Sequence, residues 1–181
     1  MEVPDQRLPT ATFEDLALPL FDQLYNFARW LTHDSTEADD LVQETYAKAL
    51  RGFSSFQAGT NFRAWIYRIL RNSFLSSRTG LKNTVVFEEE DHDSIPATDI
   101  STPESLLIDQ ADRAMVQQAL EELPVHFREI LLLCEVEEMS YQEISETLAI
   151  PSGTVMSRLF RARKALRRLL QAKFQGGRHG V

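Results

Sequence analysis

The sequence has little of the material that disulfide chemistry or membrane insertion requires. Its single cysteine, Cys134, excludes an intramolecular disulfide, and its place in the apolar run Ile130 to Cys134 predicts a small buried side chain rather than a reactive thiol. That run is the longest apolar one and is far too short to cross a bilayer. The N-terminus MEVPDQRLPT lacks the basic-then-apolar order of a signal peptide, so we expect a cytoplasmic protein without membrane insertion.

The sequence also lacks the groupings of residues that catalysis needs. It has no glycine-rich phosphate loop, and the carboxylates Asp40 and Glu44 have no nucleophile near them. The acidic run Glu88 to Asp93 favours a solvated linker over a metal site, because consecutive residues rarely converge on one ion. We therefore expect no catalytic residue, no metal and no cofactor. A nuclease using Asp39, Asp40 and the Glu88 cluster is an alternative that predicts metal-dependent DNA cleavage.

Two long stretches of the sequence contain no acidic residue, although the formal net charge is −8. Residues 51–82 and 152–181 contain lysine and arginine but no acid, whereas residues 88–151 are acidic apart from Arg113 and Arg128. Local fields decide what each surface binds, so the basic windows predict two nucleic-acid-binding modules. Residues 79–103 are polar and charged and lack helical periodicity, which predicts an acidic linker between the modules.

The stretch from Ser140 to Leu170 has the pattern of a helix-turn-helix. Ser140 and Glu143 form a capping box that starts one helix at Tyr141, and Pro151 with Gly153 ends it before a second helix begins near Ser152. Along the second helix an apolar stripe predicts the buried face: Val155, Leu159, Ala162, Leu166 and Leu169. The side chains left on other faces suit a DNA major groove: Met156, Ser157, Phe160, Arg161 and Lys164.

In the N-terminal half, Asp34 can cap a helix that runs from Glu37 to about Arg51. Its predicted buried stripe consists of Ala38, Leu41, Val42, Thr45 and Ala49. Asp40, Gln43 and Glu44 then share an outer face. That face fits either protein docking or a plain solvated surface.

Aromatic residues and arginines alternate in the next stretch, a combination that suits single-stranded nucleic acid. A helix from Asn61 onward has the predicted core stripe Phe62, Trp65, Ile66, Ile69 and Ser73. Residues predicted to face the other way are Arg63, Tyr67, Arg68 and Arg71, with Asn72 at the edge. Phe53 and Phe56 lie in the preceding loop, where packing and base stacking are both open.

These segments together resemble a known family. The string EADDLVQETYAKALRGFSSFQAGTNFRAWIYRILRNSF resembles region two of bacterial sigma factors, and SYQEISETLAIPSGTVMSRLFRARKALR resembles their region four. The order and the single linker are similar to the small extracytoplasmic-function (ECF) group, over roughly residues 16–78 and 104–172. The resemblance implies an all-α fold of two small helical domains, a region 2 bundle at 11–78 and a region 4 helix-turn-helix at 104–174. A flexible acidic linker at 79–103 joins them.

The implied function is that of a non-enzymatic initiation subunit. It would bind core RNA polymerase, recognise the −35 and −10 promoter elements and promote DNA melting. By the family pattern Asp40, Gln43 and Glu44 dock on the largest polymerase subunit, and an anti-sigma factor is an expected further partner. The alternative from a different class is a stand-alone helix-turn-helix regulator that binds duplex DNA without polymerase.

The resemblance also implies which residues contact promoter DNA. An unstacked base would be captured by the loop from Phe56 to Asn61 together with Asn72, while the arginines of the following helix contact phosphates. The implied melted-strand set is Phe56, Asn61, Arg63, Arg68, Arg71 and Asn72. The implied duplex set is Met156, Ser157, Arg158, Phe160, Arg161 and Lys164, in which Arg161 could bind a guanine edge and Arg158 a phosphate.

Overall fold

The computed structural model describes residues 11–79 and 110–176 of a chain that divides into two compact units, Met1–Arg78 and Thr79–Val181. Within the described ranges the regular structure is helical and contains no strand, which confirms the predicted all-α class. No helix in these ranges is long and apolar enough to cross a membrane. The predicted linker at 79–103 lies outside the described residues apart from Thr79, and so does the run Glu88 to Asp93.

The first unit is a bundle of helices around an apolar core. Leu24, Phe27 and Leu31 from one helix, and Ile66 and Leu70 from another, are fully buried in it. In chain order its elements are α1 (Phe13–Ala17), a 3₁₀ turn (Leu18–Leu20), α2 (Phe21–Thr32), α3 (Ser35–Gly52), a second 3₁₀ turn (Phe53–Ser55) and α4 (Phe62–Thr79).

Helix α3 forms as the sequence predicts, except that it begins two residues earlier than Glu37. The Asp34 carboxylate accepts a 2.8 Å hydrogen bond from the backbone N–H of Glu37, which satisfies an amide that the first helical turn leaves unpaired. The predicted inward stripe is buried, from Ala38 to Ala49. This burial fixes the rotation of the helix and leaves its opposite face in solvent.

In helix α4 the prediction that Tyr67 and Arg71 face away from the core is wrong. Tyr67 is 0% exposed and packs against Phe27 of α2, with ring centroids 5.3 Å apart, and Arg71 is only 9% exposed. The physical reason is that α4 packs against its neighbours on more than one side. Fewer of its positions therefore face solvent than on a helix with a single buried stripe. Arg68 and Asn72 are exposed, as predicted.

The second unit packs its helices around Ile130, Leu133, Ile144 and Leu159, which are all buried. Its first helix begins at Gln110 within the described residues. In chain order the elements are α5 (Gln110–Glu122), α6 (Val125–Leu131), a π-helical turn (Leu132–Val136), α7 (Tyr141–Leu148) and α8 (Ser152–Gly176).

Two side chains of this core have an unexpected environment. The buried Arg128 guanidinium donates hydrogen bonds to the backbone carbonyl oxygens of Leu120, Glu121 and Leu123, at 2.8, 2.7 and 3.0 Å, and so satisfies the C-terminal end of α5. Cys134 is half-buried rather than fully buried. Its burial, and then the charge of Glu135, raise the pKa of the Cys134 thiol, which favours the protonated and unreactive form.

Candidate nucleic-acid and protein-docking surfaces

The predicted helix-turn-helix is present, with both predicted starts confirmed. Ser140 Oγ accepts from the Glu143 backbone N–H at 3.2 Å, and Glu143 Oε2 accepts from the Ser140 N–H at 2.8 Å. Helix α7 ends at Leu148, and Ala149 turns the chain with a left-handed φ of 55°. Ser145 Oγ donates a 2.6 Å hydrogen bond to the Ile150 carbonyl oxygen. These bonds hold the turn, so the angle at which α8 leaves it is set locally.

Helix α8 presents apolar and basic side chains on the face opposite its buried stripe. Met156 is 59% exposed and Phe160, one turn later, is 46% exposed, an uncommon use of large apolar groups on a free surface. Arg161 and Lys164 are also exposed, and Ser157 is half-buried with its Oγ donating to the Thr154 carbonyl oxygen at 3.1 Å. Arg158 differs from this set because it is only 8% exposed, which leaves little of its side chain for a phosphate.

The cations of α8 divide into two groups. Arg163 Nη2 lies 2.6 Å from Glu135 Oε1, and Lys173 Nζ lies 2.6 Å from Glu122 Oε1, so these two charges are neutralised within the unit. Within residues 110–176, Arg161 and Lys164 have no ion pair. Arg167 and Arg168, further along α8, are also exposed and have no ion pair within these residues, so the unneutralised positive charge covers the predicted groove face and the turns after it. Phosphates neutralised by these cations would release their counterions.

His126 of α6 is a neighbour of this face that the sequence did not point to. Burial, and then the positive charges of Arg158 and Arg161, lower the pKa of the His126 imidazole below its ordinary value. This shift favours the neutral form of the imidazole. No motif in the sequence marks His126, because its place near Arg158 and Arg161 depends on how α6 packs on α8.

The predicted melted-strand residues of the first unit lie in different environments. Arg68 and Asn72 are exposed on α4, and the half-buried Arg63 has its guanidinium carbon 5.6 Å from the centroid of the Tyr67 ring. Asn61 has a structural role as well, since its Oδ1 accepts a 3.0 Å hydrogen bond from the Ala64 N–H at the start of α4. Of the predicted phosphate contacts here, Arg71 is the buried one.

Phe56 is held by other aromatic rings. It stacks on Phe53 at 6.0 Å with an interplanar angle of 9°, meets Phe62 edge-on at 5.3 Å and lies 5.1 Å from Trp65. The rings of Phe53 and Phe56 are half-buried, so each packs against other residues and keeps part of its surface exposed. The residues after Phe56, from Gln57 to Thr60, are exposed, and Gly59 has a φ of 89°. The loop thus has an aromatic base and a polar tip.

The predicted docking face is an exposed acidic surface beside a cleft. Asp40 and Glu44 line this cleft together with Glu37 and Arg78, and the buried Leu41 and Phe74 contribute its apolar floor. Two ion pairs flank Asp40: Glu44 Oε1 with Lys48 Nζ at 2.5 Å, and Glu37 Oε2 with Arg78 Nη2 at 2.6 Å. Within residues 11–79 the Asp40 carboxylate itself has no ion pair. Gln43 is exposed on the same helix but does not line the cleft.

Known proteins share both units. The model of Sigma-70 region 2 matches residues 19–83, and that of Sigma-70, region 4 matches residues 113–166. The ECF RNA polymerase sigma factor SigE of Mycolicibacterium smegmatis is 36% identical over an alignment 180 residues long that covers 92% of this chain and 69% of the relative. The RNA polymerase sigma-H factor of Pseudomonas aeruginosa is 32% identical over an alignment 176 residues long that covers 92% of this chain and 90% of the relative.

A solved structure agrees with these relatives. The sigma factor RpoE from Bartonella quintana, crystallised with the anti-sigma factor NepR, has a TM-score of 0.65 and 30% identity over 87% of this chain and 98% of that chain. These matches define a polymerase-binding subunit that gives transcription its promoter specificity. The chain belongs to the ECF RNA polymerase sigma factors. This confirms the resemblance seen in the sequence, and it does not favour the stand-alone regulator.

Proposed function

We propose that the two units of this sigma factor divide promoter recognition between them. Residues 11–78 dock on core RNA polymerase and hold the melted strand, residues 104–174 bind the upstream duplex element, and residues 79–103 connect the two. The observation that carries this assignment is the separation of charge. Among the described residues, the Asp40 carboxylate on the exposed acidic face of the first unit has no ion pair, and neither do Arg161 and Lys164 on the groove face of α8 in the second.

Docking uses the face formed by Asp40, Gln43 and Glu44, and its partner is a basic surface of the polymerase, by charge complementarity. The melted strand lies along the exposed side of α4, where Arg68 and Arg63 approach its phosphates and Asn72 reads the edge of a base above Phe56. Asn61 keeps the start of α4 in place beside that base. Arg71 is mostly buried, so it contacts the strand only through the small part of its side chain that is exposed.

The exposed face of α8 binds in the major groove of the upstream duplex. Arg161 binds a guanine edge, Met156 and Phe160 contact apolar base edges, and Lys164 contacts a phosphate. Ser157 contributes a hydroxyl contact near the start of the helix. Arg158 is mostly covered by its own unit, so it supports the helix first and reaches phosphate only with its exposed end.

Further properties follow from the same assignment. The chain performs no catalysis itself, because the polymerase carries out the chemistry. It works in the cytoplasm at the nucleoid, where core polymerase and promoters are found. An anti-sigma factor is a further partner, and the RpoE–NepR structure supports this because it holds a similar chain with such a protein.

Size-exclusion chromatography of the full chain mixed with bacterial core RNA polymerase tests the docking assignment. We expect the chain to elute with the polymerase and the complex to weaken as salt is raised, because the docking face is acidic and exposed. Separate elution at low salt, together with duplex binding by the chain alone, would contradict the proposal.

A further inference from the structure

The structure assigns Phe13 of α1 as a positioning residue for the loop Phe53 to Asn61, which we call the capture loop. This inference rests on the proposed role of that loop in holding an unstacked base. Helix α1 was not singled out in the sequence, and the docking and DNA surfaces proposed above do not include it. Its role follows from which rings Phe13 contacts.

Phe13 contacts three aromatic rings that belong to three different elements. Its ring centroid lies 5.4 Å from that of Phe53, 6.2 Å from that of Phe62 and 6.3 Å from that of Tyr46. All three contacts are edge-on, with interplanar angles of 70°, 75° and 82°, the arrangement that aromatic quadrupoles favour. Phe53 is the first residue of the capture loop, and Phe62 directly follows its last. One ring therefore contacts both ends of the loop.

Helix α1 is itself fixed firmly enough to hold that ring. A five-residue helix is unstable alone, because nucleation costs more than so few hydrogen bonds return. Here Thr12 and Asp15 form a capping box, with hydrogen bonds of 3.0 and 3.2 Å. At the other end Ala17 is fully buried, and its carbonyl oxygen accepts a 2.7 Å hydrogen bond from the Tyr46 hydroxyl of α3.

The capture loop has few other constraints. The described backbone hydrogen bonds that involve it include those from Phe56 N–H to the Phe53 carbonyl oxygen at 3.0 Å, from Thr60 N–H to the Gln57 carbonyl oxygen at 3.1 Å and from Trp65 N–H to the Asn61 carbonyl oxygen at 3.1 Å, and all three are local. Phe56 packs on the rings of Phe53, Phe62 and Trp65. Because Phe13 packs on the first two of these rings, removing it loosens the support beneath Phe56 without touching the surface that meets the base.

The experiment measures base selectivity, which a merely stabilising residue would not change. Holoenzyme made with each variant is incubated with a pool of single-stranded oligonucleotides randomised over about ten positions, and the bound strands are sequenced. We expect Phe13→Ala to lower the preference for the best base over the others at the captured position by about ten-fold, the scale of one good base contact. Phe13→Leu, which keeps apolar volume but lacks a ring, should lose selectivity in the same direction.

Phe21→Ala is the matched control. Phe21 also contacts Tyr46, at 5.8 Å, and it is exposed, but it has no ring contact with Phe53 or Phe62 among the described residues. We expect this variant to keep wild-type selectivity. Wild-type selectivity in Phe13→Ala and Phe13→Leu would overturn the inference. So would loss of core polymerase binding by both, because Phe13 would then support the whole unit rather than the loop.

The same assay separates this inference from the proposed function. If Phe56→Ala and Asn72→Ala leave selectivity unchanged, the assignment of the capture loop fails, and the role of Phe13 fails with it. If those two variants lose selectivity and the Phe13 variants do not, only the positioning role is wrong.

Discussion

The phenolic hydroxyl of Tyr46 donates a 2.7 Å hydrogen bond to the backbone carbonyl oxygen of Ala17. The two residues are 29 positions apart, and the bond joins the end of α1 to the middle of α3. Tyr46 is half-buried, so its hydroxyl has only partial access to water. The bond is therefore a polar link that holds α1 on the bundle.

Tyr46→Phe should lower the free energy of unfolding of the first unit by about 1 kcal/mol, the usual net value of one hydrogen bond. Trp30 and Trp65 both lie in this unit, so urea unfolding followed by tryptophan fluorescence reports on it selectively. Tyr25→Phe is the matched control, because Tyr25 is also half-buried and has no side-chain hydrogen bond among the described residues. Equal stabilities of the two variants would contradict the role of the bond.

The same tyrosine predicts a loss of stability in alkali. Burial, and then the negative charge of Asp22, raise the pKa of Tyr46 to about 12 from the ordinary value of 10.0. Because the folded state holds the phenolic proton more tightly, this contribution is complete below about pH 10 and is lost as the pH rises towards about 12. Tryptophan-monitored unfolding should show a steeper decline over that range for the wild type than for Tyr46→Phe. Parallel declines would show that Tyr46 is not responsible.

Arg128→Lys should destabilise the second unit by about 2 to 4 kcal/mol. A lysine cannot reproduce the planar set of hydrogen bonds to three carbonyl oxygens, and groups left unsatisfied in a buried site lose their bonds without gaining water. Circular dichroism should show earlier urea unfolding, while the tryptophan transition of the first unit stays in place. Arg113→Lys, at an exposed position of α5, is the control and should change neither transition.

Arg161→Ala should weaken binding to a cognate upstream element by about 1 to 3 kcal/mol, the scale of a bidentate base contact. Fluorescence anisotropy of labelled duplexes with the holoenzyme measures this loss, and selected sequences should show relaxed preference at one base pair. Arg163→Ala removes an exposed arginine of the same helix that is paired with Glu135, and it should cost much less. Equal losses for both variants would argue against a base contact by Arg161.

Asp40→Lys should abolish association with core polymerase and leave the first unit folded, because the side chain is exposed and α3 is fixed by its opposite face. Co-elution with core polymerase measures association, and tryptophan-monitored unfolding measures the fold. Asp39→Lys makes the same charge change at the neighbouring exposed position, which does not line the cleft, and should retain binding. Normal co-elution of Asp40→Lys would refute the docking face.

Much of this structure can be predicted from sequence because local signals agree with packing. The caps at Asp34 and Ser140 mark two helix starts, and the stripe from Val155 to Ala162 gives the buried face of α8. The periodicity of α4 did not predict all of its buried residues. Tyr67 and Arg71 lie outside the predicted apolar stripe and are buried nonetheless.

The sequence also does not predict contacts between residues that are far apart along the chain. The pair of Glu37 and Arg78 joins residues 41 positions apart, and the bonds of Arg128 depend on where α5 ends. Helical periodicity places a residue on a face of its own helix, but it does not say which other helix lies opposite.

Run-off transcription on genomic fragments, with purified core polymerase and this chain, tests the central claim most directly. We predict transcripts from a defined set of promoters that appear only when the chain is added, disappear with Asp40→Lys and persist with Asp39→Lys. Transcripts that do not depend on the chain, or their absence although the chain binds duplex DNA alone, would contradict the account.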